Sequence, residues 1–398
     1  MKHFDVLIVG GGLAGGSLAL ALEAMGLNTA VVETLSPRER IQSPAGDRAL
    51  ALARGSIQIF RQLAVWPRVD EHATPITSIH VSDRGHFGKT RLDAEELGVD
   101  SFGQVVVARF LETALAELCQ EKAIELLCPA RVTGLDIQAK WVRITLDQQG
   151  SVDQCTARLV VAADGGNSQV RQWVGIGQTV HDYHQSALVG TIKTELPHQG
   201  VAFERFTPSG PLAMLPLQRS RCAMIWTRDE NDGHRLRALS KSVIEHRLQE
   251  TFGWRLGHLQ VEGNLKSFPL WLIRAQRLFA ERVALVGNAA HQLHPVAGQG
   301  FNLGLRDVIV LARLLEKQME QGGDPGAFSV LEKYAKARAP DHNRIIGFSD
   351  GLIELFVPSR PPLAMARNLG LMALDHLPPV KRWFARHAMG MAEDSLKH

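Results

Sequence analysis

Cysteine is scarce in this chain: four in 398 residues, at Cys119, Cys128, Cys155 and Cys222, with no Cys-x-x-Cys pair. That spacing gives no disulfide framework and no zinc ribbon, and it fits free thiols in a reducing compartment. An excess of one charge is missing too. Lys and Arg outnumber Asp and Glu by three, without any block of like charges, so no nucleic-acid partner is expected. Long apolar runs are also few. The uncharged stretch from Val6 to Leu22 has the hydropathy of a signal peptide, but five of the seven residues from Gly10 to Gly16 are glycine, which weakens an inserted helix. No other run approaches the roughly 18 apolar residues that span a bilayer. A soluble or peripherally attached protein is expected, without internal repeats or low-complexity linkers. Hydrophobic residues at 45% and charged residues at 21% describe an ordinary globular enzyme, and the length calls for two or three domains.

What is present begins with Val6-Leu-Ile-Val-Gly10-Gly-Gly12-Leu13-Ala14-Gly15, an apolar strand running into glycines at dinucleotide-binding spacing. Gly10 permits a tight turn, Gly12 lets backbone approach a pyrophosphate, and Gly15 lets a helix pack against the strand. The phosphates then face the free N–H groups of that helix's first turn. A helix over 14–25 and a second strand, Thr29 to Glu33, complete a βαβ unit. Glu33 stands 18 residues after Gly15, close to the roughly 20 expected of a ribose-binding acid.

Further on, strands are expected at 77–81, 104–107 and 141–146, and helices ending near Leu63 and spanning 111–119. Arg158-Leu-Val-Val-Ala-Ala163 and Arg282-Val-Ala-Leu-Val-Gly287 read as buried parallel strands. Between them, 187–227 is strand-like and rich in turns, the pattern of an antiparallel sheet. Residues 304–319 form an apolar helix. Three glycine-bearing strand ends result, at Gly10 to Gly15, at Asp164-Gly165, and at Gly287-Asn288, where open α/β sheets place ligands. After the third comes Pro295-Val-Ala-Gly298-Gln299-Gly300-Phe301-Asn302, whose glycines admit a planar or phosphate group ahead of a helix. One long cofactor would use all of these.

The three motifs, in this order and with Arg171 after the second and Asp307 closing the third, resemble those of the class A flavoprotein aromatic hydroxylases, the group of para-hydroxybenzoate hydroxylase. Phe203-Glu-Arg-Phe-Thr207, Gly210-Pro-Leu-Ala-Met-Leu-Pro216, His80-Val-Ser-Asp-Arg-Gly85 and Asn368-Leu-Gly-Leu-Met372 are most similar to the ubiquinone-biosynthesis hydroxylases, and among these to the 2-polyprenyl-6-methoxyphenol hydroxylase group. The resemblance implies an α/β fold, with a Rossmann-like FAD-binding domain (1–75, 104–180 and 273–332) interleaved with an antiparallel-sheet substrate domain (76–103 and 181–272), and a C-terminal helical segment (333–398).

It also implies roles. FAD would contact Gly10, Gly12, Leu13, Ala14 and Gly15, with Glu33 on the adenosine ribose, Arg48 and Arg109 near the phosphates and ribityl chain, and Val132, Asp164 and Gly165 along the cleft. Gly287, Asn288 and Pro295 would follow, and Gly298 to Asn302 would give backbone contacts to the isoalloxazine, where a helix end stabilises negative charge. Most of the group has aspartate where this chain has Asn288, and that departure resembles the methoxyphenol hydroxylases. With one dinucleotide turn allotted to FAD, NAD(P)H would dock transiently. The reduced flavin would trap O2 as a flavin hydroperoxide and pass one oxygen to a polyprenyl phenol. Arg205, Met214 and Trp226 are the substrate candidates; a solvated sheet arginine and ordinary core packing describe them equally well. No side-chain base is named.

His291 and His294 fit packing or flavin-edge hydrogen bonds better than metal, since no carboxylate or cysteine cluster accompanies them in sequence. In the tail, Val380, Trp383, Phe384, Ala388 and Met391 share one helical face, and Lys381, Arg382 and Arg386 the other. That pattern suits either docking onto protein, including other ubiquinone-biosynthesis proteins, or a membrane surface, hence a cytoplasmic protein peripheral to the inner face of the membrane. Alternatives are a hydroxylase of another ring position or another aromatic substrate, and a non-catalytic FAD-containing lipid-binding assembly subunit. A tryptophan-type halogenase is disfavoured by the missing Trp-x-Trp-x-Ile-Pro signature.

Overall fold

The computed structural model describes residues 1–356 except 37–38, 41–42, 86–87 and 296–297. The tail face at Val380 to Met391 and the stretch at Asn368 lie outside the described residues.

An eight-stranded sheet holds the first βαβ unit. Its main path runs β17 (Phe279–Ala280), β18 (Val283–Leu285), β11 (Ser151–Ala162), β1 (Lys2–Val9), β2 (Thr29–Val32) and β8 (Glu125–Leu127), with β9 (Arg131–Ile137) and β10 (Val142–Gln148) attached beside β11. Strands β18, β11, β1, β2 and β8 are parallel. They are nearly continuous apolar runs because helices or other strands cover both faces: Val6, Ile8, Leu159, Val161 and Ala284 pack beneath helices, while Leu7, Val160 and Leu285 face the β9–β10 side.

The helix after the first turn, α1 (Leu13–Glu23), has eight buried residues from Gly15 to Leu22. Helices α2 (Arg54–Gln62) and α3 (Ala108–Glu121) close one side, and the short α4 (Gln169–Trp173) follows the Asp164 strand end. Helix α7 (Gln299–Glu320) packs on α1, and α8 (Phe328–Phe356) packs on α7.

The second eight-stranded sheet runs β19 (His291–Gln292), β16 (Leu259–Ala275), β12 (Gln178–Thr194), β15 (Arg221–Asp229), β14 (Gly210–Leu217), β13 (Val201–Thr207), β5 (Ser78–Asp83) and β6 (Lys89–Asp93). It is antiparallel, as expected, except that β13 and β5 are parallel. Strand β5 arrives from the first half of the chain, so no hairpin turn sets its direction. Helices α5 (Glu230–Arg237) and α6 (Lys241–Phe252) accompany this sheet. Leu188, Leu212, Met214, Met224 and Trp226 meet Ile244, Leu248 and Phe252 in its core.

A three-stranded sheet of β3 (Ala49–Ala53), β7 (Gly103–Val107) and β4 (Thr74–Ile76) lies against the other face. There Ala202, Leu215 and Leu217 pack with Ala49, Ala51 and Val105. No helix among the described residues is long and apolar enough to cross a membrane.

Candidate active site

Three neighbouring strands of the parallel sheet end together. Val9 is in register with Ala162, and Ala162 with Leu285. Their continuations stay tied, since Ala163 N donates to Val9 O at 2.8 Å and Val286 N to Ala162 O at 3.0 Å. Gly10, Asp164 and Gly287 therefore leave the sheet side by side, at its carboxyl edge.

Here the glycines answer to backbone. Gly10 has φ +102°, and a Cβ on it would stand 2.5 Å from Ala163 O. A Cβ on Gly15 would stand 1.8 Å from Gly10 O, so only glycine lets α1 sit this close to the strand. Gly12 is different: it has ordinary extended backbone, and none of the described residues comes within 4 Å of its Cβ position. That open space at the start of α1 suits a pyrophosphate. Gly165 is open in the same way, and Gly287 lies against Ala14, whose Cβ is 3.1 Å from the position a Cβ would take. The Leu13 side chain is half-buried, and Asn288 is exposed and free of protein hydrogen bonds among the described residues. Asp164 Oδ2 accepts from Val170 N at 3.3 Å, but its Oδ1 is buried with no hydrogen-bond partner among the described residues. Such an orphan is costly unless a ligand supplies the donor, and a cofactor hydroxyl would do so. Arg171 serves structure: its guanidinium donates to Ala289 O at 2.8 Å and Gly166 O at 2.9 Å, fastening the second motif to the third.

Glu33 is more occupied than its expected ribose role required. Its Oε2 accepts from Gly11 N at 2.8 Å and pairs with Arg40 at 3.0 Å, and its Oε1 accepts from Leu35 N at 2.8 Å. Arg40 also donates to Gly11 O at 2.8 Å. Arg40 thus clamps the turn, a role with no local sequence signal. Arg48 and Arg109 come together, because Ala108 N donates to Arg48 O at 2.8 Å. Arg109 pairs with Asp47, which also takes Lys266 from β16. Burial pulls the Arg48 guanidinium below its usual value, partly offset by Glu112. Val132 puts its side chain into the core, leaving only its backbone for a ligand.

At the third motif, Gly298 N donates to Pro295 O at 3.0 Å, and Gly298 stands at φ +61°, its Cβ position 3.1 Å from the Ala51 Cβ. The Asn302 side chain uses its whole capacity: it accepts from Ala53 N at 2.9 Å and Ser56 Oγ at 2.7 Å, and donates to Ala51 O at 2.9 Å and Gly298 O at 2.8 Å. The start of α7 is pinned to β3, leaving the backbone N–H groups of Gln299 and Gly300 at a helix N-terminus. Phe301 stacks on Phe60 with centroids 6.1 Å apart.

Residues 3–349 match the FAD binding domain family. Over 395 residues, covering 98% of this chain and 90% of the other, it is 40% identical to the ubiquinone hydroxylase UbiL of Rhodospirillum rubrum. It is 31% identical over 394 residues to the 3-demethoxyubiquinol 3-hydroxylase of Escherichia coli, covering 97% of this chain and 98% of that one. The chain belongs to the FAD-dependent ubiquinone-biosynthesis hydroxylases. Its fold is that of the p-nitrophenol 4-monooxygenase PnpA of Pseudomonas putida, with a TM-score of 0.81 at 19% identity, covering 99% and 100% of the two chains. The hydroxylase is an FAD-dependent monooxygenase acting on a phenolic substrate with O2. When bound, FAD supplies the redox chemistry that splits O2 between substrate and water.

Of the substrate candidates, Met214 and Trp226 take the core-packing alternative. Met214 and Trp226 are buried at 0% and 1% exposure against Ile244, Leu248 and Phe252. Arg205 shares the face of Phe203 and is set among Arg255, Arg84 and Asp83, with burial lowering its pKa. All three lie on the sheet face turned away from β3. Side chains alternate along a strand, so the residues turned toward β3 and the cofactor motifs are Glu204, Ala213, Leu215 and Ile225.

For the histidines, only the missing carboxylate is corrected. His291 does have a carboxylate, Asp307, at 2.7 Å, with His342 beside it. His294 is buried edge-on to Tyr183 at 5.2 Å between centroids, with burial lowering its pKa to about 4.

Proposed function

We propose that the chain hydroxylates 2-polyprenyl-6-methoxyphenol to 2-polyprenyl-6-methoxy-1,4-benzoquinol. One oxygen of O2 enters the ring carbon para to the phenol, the other leaves as water, and NAD(P)H becomes NAD(P)+. The observation that carries this reading is a lane of half-buried side chains on the sheet face turned toward the cofactor motifs. Val189, Ile225 and Ala213 are cross-strand neighbours in one row, with Leu215 two residues on. All four keep contact with open space, while Leu188, Met214 and Trp226 on the other face are buried. An apolar, incompletely filled surface suits a ring with an alkenyl chain. The chain's residues bind the ring, keep water from the reacting centre and hold the target carbon against the cofactor.

Incubation with FAD, NAD(P)H, oxygen-18 gas and a short-chain 2-prenyl-6-methoxyphenol tests this. One labelled hydroxyl para to the original oxygen is expected. Label at another position would assign a different ring position, such as the one named for the Escherichia coli relative. Peroxide release without labelled product would reject the substrate. A cytoplasmic protein resting on the membrane through residues 379–398, beside other ubiquinone-biosynthesis proteins, goes with this reading. Unchanged liposome binding after deletion of that segment would reject the membrane contact.

A further inference from the structure

One row of the second sheet runs from the cofactor loop to a single acid. Lys266 on β16 is opposite Val189 on β12, Val189 opposite Ile225 on β15, Ile225 opposite Ala213 on β14, and Ala213 opposite Glu204 on β13. Cross-strand partners share a face, so these side chains form a continuous strip. At about 4.8 Å per strand, four steps make it roughly 19 Å long. Its first end is anchored beside the cofactor arginines, because Lys266 pairs with Asp47, and Asp47 with Arg109. Its middle is apolar and half-buried. Beyond the apolar middle stands a carboxyl group, with Val81 on its other side.

Glu204 has no hydrogen-bond or ion-pair partner among the described residues, and its half-buried side chain keeps contact with the same open space as the strip. Its cross-strand neighbours are Ala213 and Val81, neither able to donate. Covering such a carboxylate with a ligand is costly unless the ligand brings its own donor.

Resting on the reading of the site just proposed, we infer that Glu204 receives the phenolic hydroxyl of the substrate, accepting its hydrogen bond and then its proton. The O–H bond of the phenol breaks, its electron pair stays on the phenolate oxygen, and the proton becomes the acid hydrogen of Glu204. Charge moved onto the ring enriches the para carbon, where oxygen is to be added. The apolar strip of Ala213, Ile225 and Val189 then takes the ring and its substituents. Burial raises the Glu204 pKa to about 7, nearer to a phenol's value of about 10 than an exposed carboxylate is, and a closer match makes a stronger acceptor. Other charged groups on this face are Asp83 on β5, Lys266 at the far end of the strip, and Lys193, Arg221, Asp229 and Glu262 near strand ends. The β3 residues packed across from the sheet, Ala49 and Ala51, are apolar.

The test compares binding of the short-chain 2-prenyl-6-methoxyphenol with its O-methyl ether, to the FAD-loaded protein at a pH above 7, for wild type, Glu204→Gln, Glu204→Ala and Glu204→Asp. Wild type is expected to prefer the phenol at least about tenfold, the scale of a hydrogen bond to a charged group. Ala should bring the two ligands to near parity, Gln, whose amide oxygen still accepts but carries no charge, should keep only a reduced preference, and Asp should restore part of the preference lost in Ala. The acid limb of kcat/KM near pH 7 should vanish in Gln. If Gln and Ala keep the wild-type preference and acid limb, Glu204 does not hold the hydroxyl, while the proposed substrate stands. If wild type binds neither ligand, the substrate reading itself fails, and this inference with it. Isosteric Gln preserves the strand should Ala disrupt folding.

Discussion

His291 Nε2 lies 2.7 Å from Asp307 Oδ2, and both side chains are closed off from water. Asp307 Oδ1 takes Arg338 Nε and His342 Nε2, each at 2.7 Å. Burial pushes this carboxyl's pKa up, but His342, His291 and Arg338 overrule it and hold it well below the usual range. One carboxylate thus ties β19, within the third motif, to α7 and α8. Asp307→Asn should cost about 3–5 kcal/mol by leaving partners buried without their counter-charge, read as a lower Tm and weaker FAD binding. An unchanged Tm would refute the role. Because the carboxyl's pKa is depressed on folding, its contribution is whole above about pH 4 and is lost as pH falls below that. Stability of the Asn variant should therefore fall less steeply in acid. Although the ligating atoms of His291, Asp307 and His342 lie within 4.8 Å of one another, Arg338 already supplies positive charge to Asp307, so a chelator should leave Tm where it is.

Two glycines of the first motif should fail in different ways. Gly15→Ala places a Cβ 1.8 Å from Gly10 O and must push α1 off the strand, so the protein should lose both fold and FAD. Gly12→Val meets no atom of the described residues within 4 Å at its Cβ and should fold with wild-type circular dichroism while FAD affinity drops at least about tenfold, the loss of one well-placed set of phosphate contacts. Wild-type FAD affinity in Gly12→Val would show that the open space is not where the pyrophosphate lies.

Stability should respond to Glu204 in the direction opposite to Asp307. Its pKa rises on folding to about 7 through burial, above the roughly 4.3 of an exposed glutamate. Its contribution to stability is whole below about 4.3 and is lost as pH rises through about 7, because the folded chain binds the extra proton in that window. The Tm difference between Glu204→Gln and wild type should therefore shift in favour of Gln from roughly pH 4 to pH 8. Parallel melting curves across that range would mean that Glu204 titrates as an ordinary surface acid.

Backbone-level requirements were legible in the sequence, because glycine spacing after an apolar strand reports the turn directly. The strand ends at Gly10, Asp164 and Gly287 do lie together. Pairings across long sequence distance were not legible: Lys266 is 219 residues from Asp47, and Arg338 and His342 are brought to Asp307 only by the packing of α8 on α7. The sheet face was lost for another reason. Leu212, Ala213, Met214 and Leu215 are all apolar, since one face packs on α6 and the other turns toward β3. With both faces apolar the alternation that marks a half-buried strand disappears, and a displacement of one residue exchanges the faces. Arg205, Met214 and Trp226 were each one position from Glu204, Ala213 or Leu215, and Ile225.

That displacement yields a paired experiment on neighbouring residues. Met214 is buried at 0% exposure beside Leu212, Met224 and Trp226, so Met214→Ala should cost about 2–5 kcal/mol as a cavity and leave the KM for the prenyl phenol unchanged. Ala213 is half-buried in the strip that ends at Glu204, so Ala213→Leu adds bulk to open space and should change Tm little. The added side chain would occupy the lane we propose for the ring, and KM should rise at least about tenfold, the scale of displacing one or two buried methylene contacts. The reverse pattern, with KM moved by Met214→Ala and untouched by Ala213→Leu, would place the substrate on the α6 side of the sheet.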